Sequence, residues 1–593
     1  MSNQSRFMRN QVLFIAVLFV LLLNYACTTS ENTPEQENIV QVRLPAEPDN
    51  LNPIITTSLY SRIVHECIFL PLMHFNYQTL KLEPALVKAA PQITTIESGP
   101  YAGGMALTYE LRDNAQWDNG TPVTSEDVLF SLKALFNPLV KSTAFRAYLD
   151  MIGDMEIDAE NPARFTIYTK EQYILTEPAV SNINILPKYN YDPDGLMNEV
   201  ALNQLTNPET ASTLAESNPN IQQFAEAFNS AKYGREIENI SGNGPYKITE
   251  WVSGQRLTLE RKKDWWGDAV KNVPVLEAYP NQMIFKIIGD QNTTVAAIKD
   301  QSIDVASQID AKDYTDLLQN ESLKEHYNFY KPLSLQLYYV GINNKNPKLN
   351  DKRVRRALAH IIDVDDIIKT LFFGLGQRTV GPFNPRKEYY HTGLEPIPYD
   401  IEKAKALLTE AGWEDTNGNG IRDKMIGGEL VELELNYLTT PTSKFGRNLG
   451  LTLEDNAPLA GIKINIEAKE FRSLIESLRN RDYELNGGAM GQQPIPDDPK
   501  QHWHTSSDNA SGSNRVGFGS PETDALIDKI RVTMDETERN KLYKEFQELI
   551  YEEQPMIFLF SPQERIIINK KFETEVSVMS PGFQPSHFKL KDE

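Results

Sequence analysis

Residues 109–135 read YELRDNAQWDNGTPVTSEDVLFSLKAL, and this stretch decides the fold. Leu107, Tyr109 and Leu111 alternate with Thr108, Glu110 and Arg112, the period of two that marks a strand with one buried face. Asp118, Asn119 and Gly120 follow as a turn cluster, in which glycine takes a positive φ without steric cost. Thr124 stands where an N-cap belongs. Glu126 and Asp127 then fall in the first helical turn, at the positive end of the helix dipole. Val128, Leu129, Leu132, Leu135 and Phe136 share one helical face, and Asn137-Pro138 stops the helix. The unit is a strand, a turn and a capped helix, and nothing in it is catalytic.

Outward from this unit the chain alternates strand and helix patterns, with no fixed-period repeat. Ile39–Leu44 alternates as a strand, residues 61–72 read as a helix, and residues 203–240 form a more polar helical region suited to a surface insertion. Residues 246–261 read as a hairpin turning at Ser253-Gly254, closed by Trp265-Trp266-Gly267. The adjacent tryptophans fit core packing better than a carbohydrate platform. Residues 351–362 place Val354, Leu358, Ile361 and Ile362 inward, with Lys352, Arg353, Arg355 and Arg356 expected on a solvated face. Asp400 caps a helix that Gly412 ends. Strands are expected at 338–343, 429–438, 462–468 and 555–560, and the final segment, 566–593, has no core of its own.

At 593 residues, 40% hydrophobic and 24% charged, the chain has the composition of a soluble globular protein. Its net charge of −22 repels nucleic acid and anionic membrane surfaces and argues against them as partners. At the N-terminus, Arg6 and Arg9 precede an apolar run from Val12 to Leu23, shorter than the ~20 residues of a spanning helix. Ala26-Cys27 then resembles a bacterial lipobox, with cleavage after residue 26 and lipid on Cys27. An uncleaved anchor is the alternative, because Asn24 departs from the usual Leu. Residues 27–37 are polar and suit a tether. The one other cysteine, Cys67, sits in an apolar stretch as a small hydrophobe.

Leu111, Arg112, Trp117, Gly120, Thr121, Pro122, Glu126, Asp127, Val128, Phe130 and Ser131 together resemble a signature of the extracellular solute-binding proteins of family 5. These are the oligopeptide-, dipeptide- and nickel-binding components of bacterial ABC importers. Two further blocks, GNGPYKITEWVSGQRLTLERKKDWWG at 242–267 and DKRVRRALAHIID at 351–363, are similar to the same family in register. The resemblance implies an α/β fold of periplasmic-binding-protein type II, a Venus flytrap of two hinged lobes with a smaller extra domain (cluster C-like). By that resemblance the first lobe takes residues 38–74, 238–330 and 564–593, the extra domain 75–237, and the second lobe 331–563. It also implies a monomeric, lipid-anchored receptor at the cell envelope, facing the periplasm or exterior, with an ABC permease and ATPase as partners.

The family places ligand contacts in the stretch GGAMGQQPIPDDPKQHW, residues 487–503. Its peptide-binding members pair the ligand's α-amino group with an acidic residue there, because a carboxylate in a closed cleft makes strong charge-assisted bonds. Ile495 occupies that position here, which leaves Asp497 and Asp498 as substitutes. His502 and Trp503, with Tyr338 and Asn343 on the strand before the basic helix, complete the candidate ligand set. His502 and His504 are spaced i, i+2 and point to opposite faces of an extended segment, a poor arrangement for one metal. The loop from Asp415 to Asp423 (DTNGNGIRD) resembles a calcium loop but has Ile426 where the closing Glu belongs, and it reads as a tight Asn/Gly turn. No catalytic signature, cofactor motif or metal set emerges. A receptor for a peptide-like solute is therefore expected. The alternatives are a receptor for a metal chelate or oligosaccharide, and a chaperone or sensor on the same fold.

Overall fold

In the computed structural model, residues 37–509 and 512–591 are described. The expected signal segment 1–26 and Cys27, with all of the expected tether before residue 37, lie outside them. Among the described residues no helix is long and apolar enough to cross a membrane. Residues 39–593 form one compact unit.

Three sheets organise this unit. The first is a mixed seven-stranded sheet in the order Tyr327–Tyr330, Ile566–Asn569, Val305–Ala306, Ile39–Leu44, Gln282–Ile287, Arg256–Arg261, Tyr246–Val252. Ile39–Leu44 lies at its centre, parallel to Gln282–Ile287, and buries Val40, Val42 and Leu44. The second sheet has six strands, in the order Gly376–Arg378, Met556–Pro562, Gln336–Ile342, Leu485–Gly491, Glu434–Thr439, Lys463–Ala468. The third is four-stranded and antiparallel: Gln92–Thr95, Met105–Glu110, Arg164–Thr169, Ile152–Ile157. The architecture is the two-lobed type II fold.

The chain passes between the first two sheets at residues 331–335 and again at 563–565. The two crossings are bonded to each other: Ser334 N donates to Pro562 O at 2.8 Å, Glu564 N to Pro332 O at 2.8 Å, and the Ser334 hydroxyl to the Glu564 carboxylate at 2.8 Å. Paired crossing strands of this kind permit bending while keeping their backbone groups satisfied.

The opening stretch folds as its residues dictate. Met105–Glu110 alternates buried and half-buried positions, and the helix Ser125–Phe136 ends at Asn137. Asp127 closes a capping box with Thr124 and gathers more besides: its carboxylate accepts from Thr124 N at 2.9 Å, the Trp117 indole at 3.2 Å and Lys188 N at 2.9 Å. Trp117 and Thr124 thus meet at the Asp127 carboxylate. Asp118 pairs with Lys262 and accepts from Gly242 N, while Asn114 donates to Trp266 O at 3.2 Å. The 109–135 and 242–267 blocks therefore dock on one another.

Three expectations are corrected. The helix expected at 61–72 spans only Leu59–His65. Beyond it Cys67, Ile68, Phe69 and Leu70 are all buried, so no helical face is left for water. Their backbone bonds instead to the 243–246 loop, through Gly244 N to Ile68 O, Tyr246 N to Cys67 O and Leu70 N to Asn243 Oδ1. Glycine is required at 242, where a Cβ would stand 2.2 Å from Ile68 O. Second, Arg355 is not on a solvated face. It is 3% exposed and donates to the carbonyls of Leu349, Asn350, Glu553 and Gln554, capping the C-terminal end of the helix Glu536–Glu553. Third, residues 203–240 are more than decoration. Ile221, Phe224 and Phe228 are buried, and Phe224 meets Phe130 edge-on at 5.9 Å, so this region covers the outer face of the signature helix.

Candidate functional site

Two cavities share Gln493 in their lining, one between the first two sheets and one walled mostly by residues 135–184 of the four-stranded sheet's region. The hinge-side cavity, about 500 Å³, is bounded by Arg62 and Gln308 on one side, Gln336 and Gln492 on the other, and Glu564 and Arg565 at the crossing. The outer cavity, about 350 Å³, is walled by Ile54, Phe145, Tyr148, Leu175, Ile183 and Ile495, with Asn182 and Asn184 as its polar edge. Gly491 to Pro494 line the hinge-side cavity, and Gln493 and Ile495 the outer one. This segment continues the strand Leu485–Gly491, whose neighbour Gln336–Ile342 leads straight into the hinge.

Its conformation is fixed from beneath. Gln492 N donates to Leu335 O, its side-chain amide to Pro382 O, and its Oε1 accepts from Asn384 N, each at 2.7 Å. The ammonium of Lys387 donates to the carbonyls of Gln493 and Ile495 and pairs with Asp497 at 3.3 Å. Burial lowers the pKa of Lys387, and Asp497 opposes that shift. Pro494 and Pro496 offer no amide protons, and Lys387 holds the carbonyl that precedes each of them. With Gln492 pinned, the exposed Gln493 is left to face the cleft.

The residues singled out in the sequence are placed as follows. Asp497 accepts from the Tyr389 hydroxyl at 2.6 Å as well as from Lys387. Asp498 accepts from the Tyr173 hydroxyl at 2.7 Å, Arg531 Nε at 3.0 Å and Lys500 N at 2.9 Å. Both carboxylates are already paired, and neither lines a cavity described above. Trp503 is 3% exposed, packed against Phe518, Phe546 and Phe558. Asn343 is buried, its amide donating to the carbonyls of Arg481 and Tyr483. Tyr338 is half-buried in a cluster with Phe372, Phe445 and Phe560, within electrostatic reach of Arg565 and Glu564. His502 is exposed on the short helix Lys500–Trp503, whereas His504 accepts from Ser506 N and stands 3.6 Å from Asp524 and Asp528. Among the described residues no group of three or more His, Cys, Asp or Glu is placed to hold a metal ion. The Asp415 carboxylate accepts from the amides of Gly418, Asn419 and Gly420, the pattern of a tight turn. Trp265 and Trp266 are buried and both donate to Asn243 O at 2.9 Å, so no stacking platform faces solvent.

Within 487–503 the sequence did not single out Gln493, and it singled out none of Arg62, Tyr148 and Arg565, which line these cavities. No local pattern marks them, because they converge only through the hinge.

Bonds also cross the cleft. Lys444 of the second sheet's lobe pairs with Asp310 of the first at 2.8 Å. The Tyr173–Asp498 bond is joined by Ile174 N to Arg531 O at 2.9 Å, and the Arg531 guanidinium stacks 4.8 Å over the Tyr173 ring. These contacts tie the four-stranded sheet's region to the region of the six-stranded sheet.

A sequence model described as bacterial extracellular solute-binding proteins, family 5 Middle, matches residues 84–512. The chain is 23% identical over 580 residues to the oligopeptide-binding protein AppA of Bacillus subtilis (strain 168), covering 95% of this chain and 96% of that one. In structure it is similar to AppA from Bacillus subtilis in complex with a nonapeptide, with a TM-score of 0.67 and 21% identity over 94% of this chain and all (100%) of that one. It is also similar to NikA from Brucella suis in complex with Fe(III)-EDTA, with a TM-score of 0.72 and 18% identity over 93% and 100%. With the signature blocks docked together, the paired hinge crossings and a match across most of its length, this chain belongs to the bacterial extracellular solute-binding proteins of family 5.

Proposed function

We propose that the protein is a receptor that encloses a peptide-like solute between its lobes and delivers it to the permease and ATPase of an ABC importer. The observation that carries this reading is the pair of cavities that share Gln493 along residues 491–495. Together they have neutral amide side chains in the middle, an apolar outer end and guanidinium groups at the hinge. A peptide offers that sequence of chemistries: side chains for the apolar walls, backbone amides for Gln493 and Gln336, and a carboxylate for Arg62 and Arg565. The chain as a whole carries −22, yet the hinge end sets two arginines against Glu564 alone. AppA's complex with a nonapeptide supports the same class of ligand.

In this reading residues 38–74, 238–330 and 564–593 form the first lobe, 331–563 the second, and 75–237 the extra domain. The extra domain is fixed to the first lobe by the Asp118–Lys262 contact. The second lobe swings about 331–335 and 563–565. Ligand selects the closed state because only that state touches it on both sides. A micromolar ligand supplies about −8 kcal/mol, enough to shift an equilibrium of a few kcal/mol. Asp498 acts in closure, through Tyr173, and Gln493, Ile495, Arg62, Arg565 and Tyr148 make the ligand contacts. Lipid on Cys27 holds the receptor at the envelope as a monomer, and more than one acyl chain makes that anchoring stable.

Thermal-shift titration of the ligand-free protein tests the reading. Pools of peptides three to nine residues long raise the melting temperature, and sugars and nickel–histidine complexes do not. A shift with the nickel complex alone would transfer the protein to the metal-chelate class.

A further inference from the structure

We infer that the ligand is a peptide whose amino end carries an uncharged blocking group, seated in the outer cavity against Ile495, with its carboxylate toward Arg62 and Arg565. The inference rests on the receptor reading above and narrows its substrate class.

The outer cavity has no charged residue in its lining: Asn182, Asn184 and Gln493 are its only amide-bearing walls, and the rest is apolar or aromatic. A free α-ammonium placed there would lose water and gain no counter-charge. The acids beside this segment in sequence cannot supply one. Asp497 is paired with Lys387 and Tyr389, and Asp498 with Arg531 and Tyr173. Glu177, on the same short helix as Pro178 and Ala179, is not among the lining residues. Lys387 bonds the carbonyl of Ile495 as well as Asp497, so the one acid beneath this segment is already engaged. An amide cap suits the same walls. Its alkyl or aryl part meets Phe145, Tyr148 and Ile495, and its N–H and C=O meet Gln493, Asn182 and Asn184. At the other end Arg62 spends its guanidinium partly on Ser580 O and Glu66, and Arg565 on Ile309 O and Gln563 O. Both still line the hinge-side cavity. The cleft is therefore polarised, neutral at one end and cationic at the other.

The test is isothermal titration of the ligand-free mature protein with one degenerate pentapeptide pool in three forms: free, N-acetylated, and N-acetylated with a C-terminal amide. The acetylated pool binds at least about 30-fold tighter than the free pool, the scale of an unpaired buried charge. Amidation of the carboxyl end weakens binding about tenfold or more, the scale of a charge-assisted bond. Ile495→Asp narrows or reverses the preference, and Ile495→Ala, which adds no acid, keeps it. Circular dichroism checks that both variants fold, and the comparison on the unaltered protein stands without them. Equal affinity for free and acetylated pools, or a preference for free peptides, overturns this inference and leaves the receptor reading intact. Binding of none of the pools overturns the receptor reading itself.

Discussion

Tyr173→Phe isolates one atom of the contact that closes the cleft. The Tyr173 hydroxyl donates to Asp498 at 2.7 Å, and burial together with the Asp498 charge raises its pKa, so it remains a donor at any physiological pH. Phenylalanine keeps the ring under the Arg531 guanidinium, now 4.8 Å from its centroid, and keeps the Ile174–Arg531 backbone bond. Asp498 retains Arg531 and the Lys500 amide, so the substitution strands no charge and removes only a hydrogen bond to an ionised group. Such a bond contributes about 1.5–3 kcal/mol. In the proposed closure Tyr173 and Asp498 separate as the second lobe swings away, so the loss is expected to fall on the closed state alone. The closed-to-open ratio drops about 10- to 150-fold at 1.4 kcal/mol per decade, and ligand affinity weakens by the same factor where the open form already predominates. Titration calorimetry reads the affinity, and small-angle scattering of the unliganded and saturated protein reads the shape. Unchanged affinity together with an unchanged scattering profile would refute the closure role of this contact.

Three other perturbations follow from the packing. His65 is 4% exposed, and burial together with neighbouring Arg62 pushes its pKa down to about 3, against 6.5 when unfolded. The unfolded chain thus binds a proton that the folded chain refuses. This contribution is complete above pH 6.5 and is lost as pH falls toward 3, by about 2 kcal/mol at pH 5. His587, pushed down to about 4, acts in the same direction; urea denaturation at pH 5 and 7 reads the fall, and His65→Leu shrinks it. Arg355→Met leaves four carbonyls without their donor, those of the buried Leu349 and Gln554 among them, and costs about 3 kcal/mol, read as a lower urea midpoint, whereas an exposed arginine would show almost none. Gly242→Ala drives a Cβ to 2.2 Å from Ile68 O and costs about 3 kcal/mol or more. Gly120→Ala, with φ at +81° and nothing within 4 Å, costs only about 1 kcal/mol; equal melting temperatures for the two would contradict the close-approach argument.

The sequence was most legible where structure is local. The strand, turn and helix of 109–135 followed from periodicity and capping, and even the partners of Asp127 lay within the stretch, apart from Lys188. Reading failed where burial is complete. At 67–70 the apolar run has no wet face, so helical periodicity carries no information, and the glycines at 242 and 244 decide the path instead. Arg355 misled for the reverse reason, since a guanidinium is buried when distant carbonyls converge on it. The cleft was half legible. Residues 487–503 were recognisable by resemblance, but the pairing of Asp497 and Asp498 depends on Lys387, Tyr173 and Arg531 from other elements. Ile495 then ceases to be a missing acid and becomes part of an apolar wall.

The central claim is that a peptide-like solute is held between the lobes. Native mass spectrometry of the mature protein, purified without denaturation, tests it most directly. The account predicts a ladder of peptide masses bound one to one, released when Tyr173→Phe loosens the closed state. A protein that is empty as purified and takes up no peptide from a library, or that carries only a metal chelate or a sugar, would contradict it.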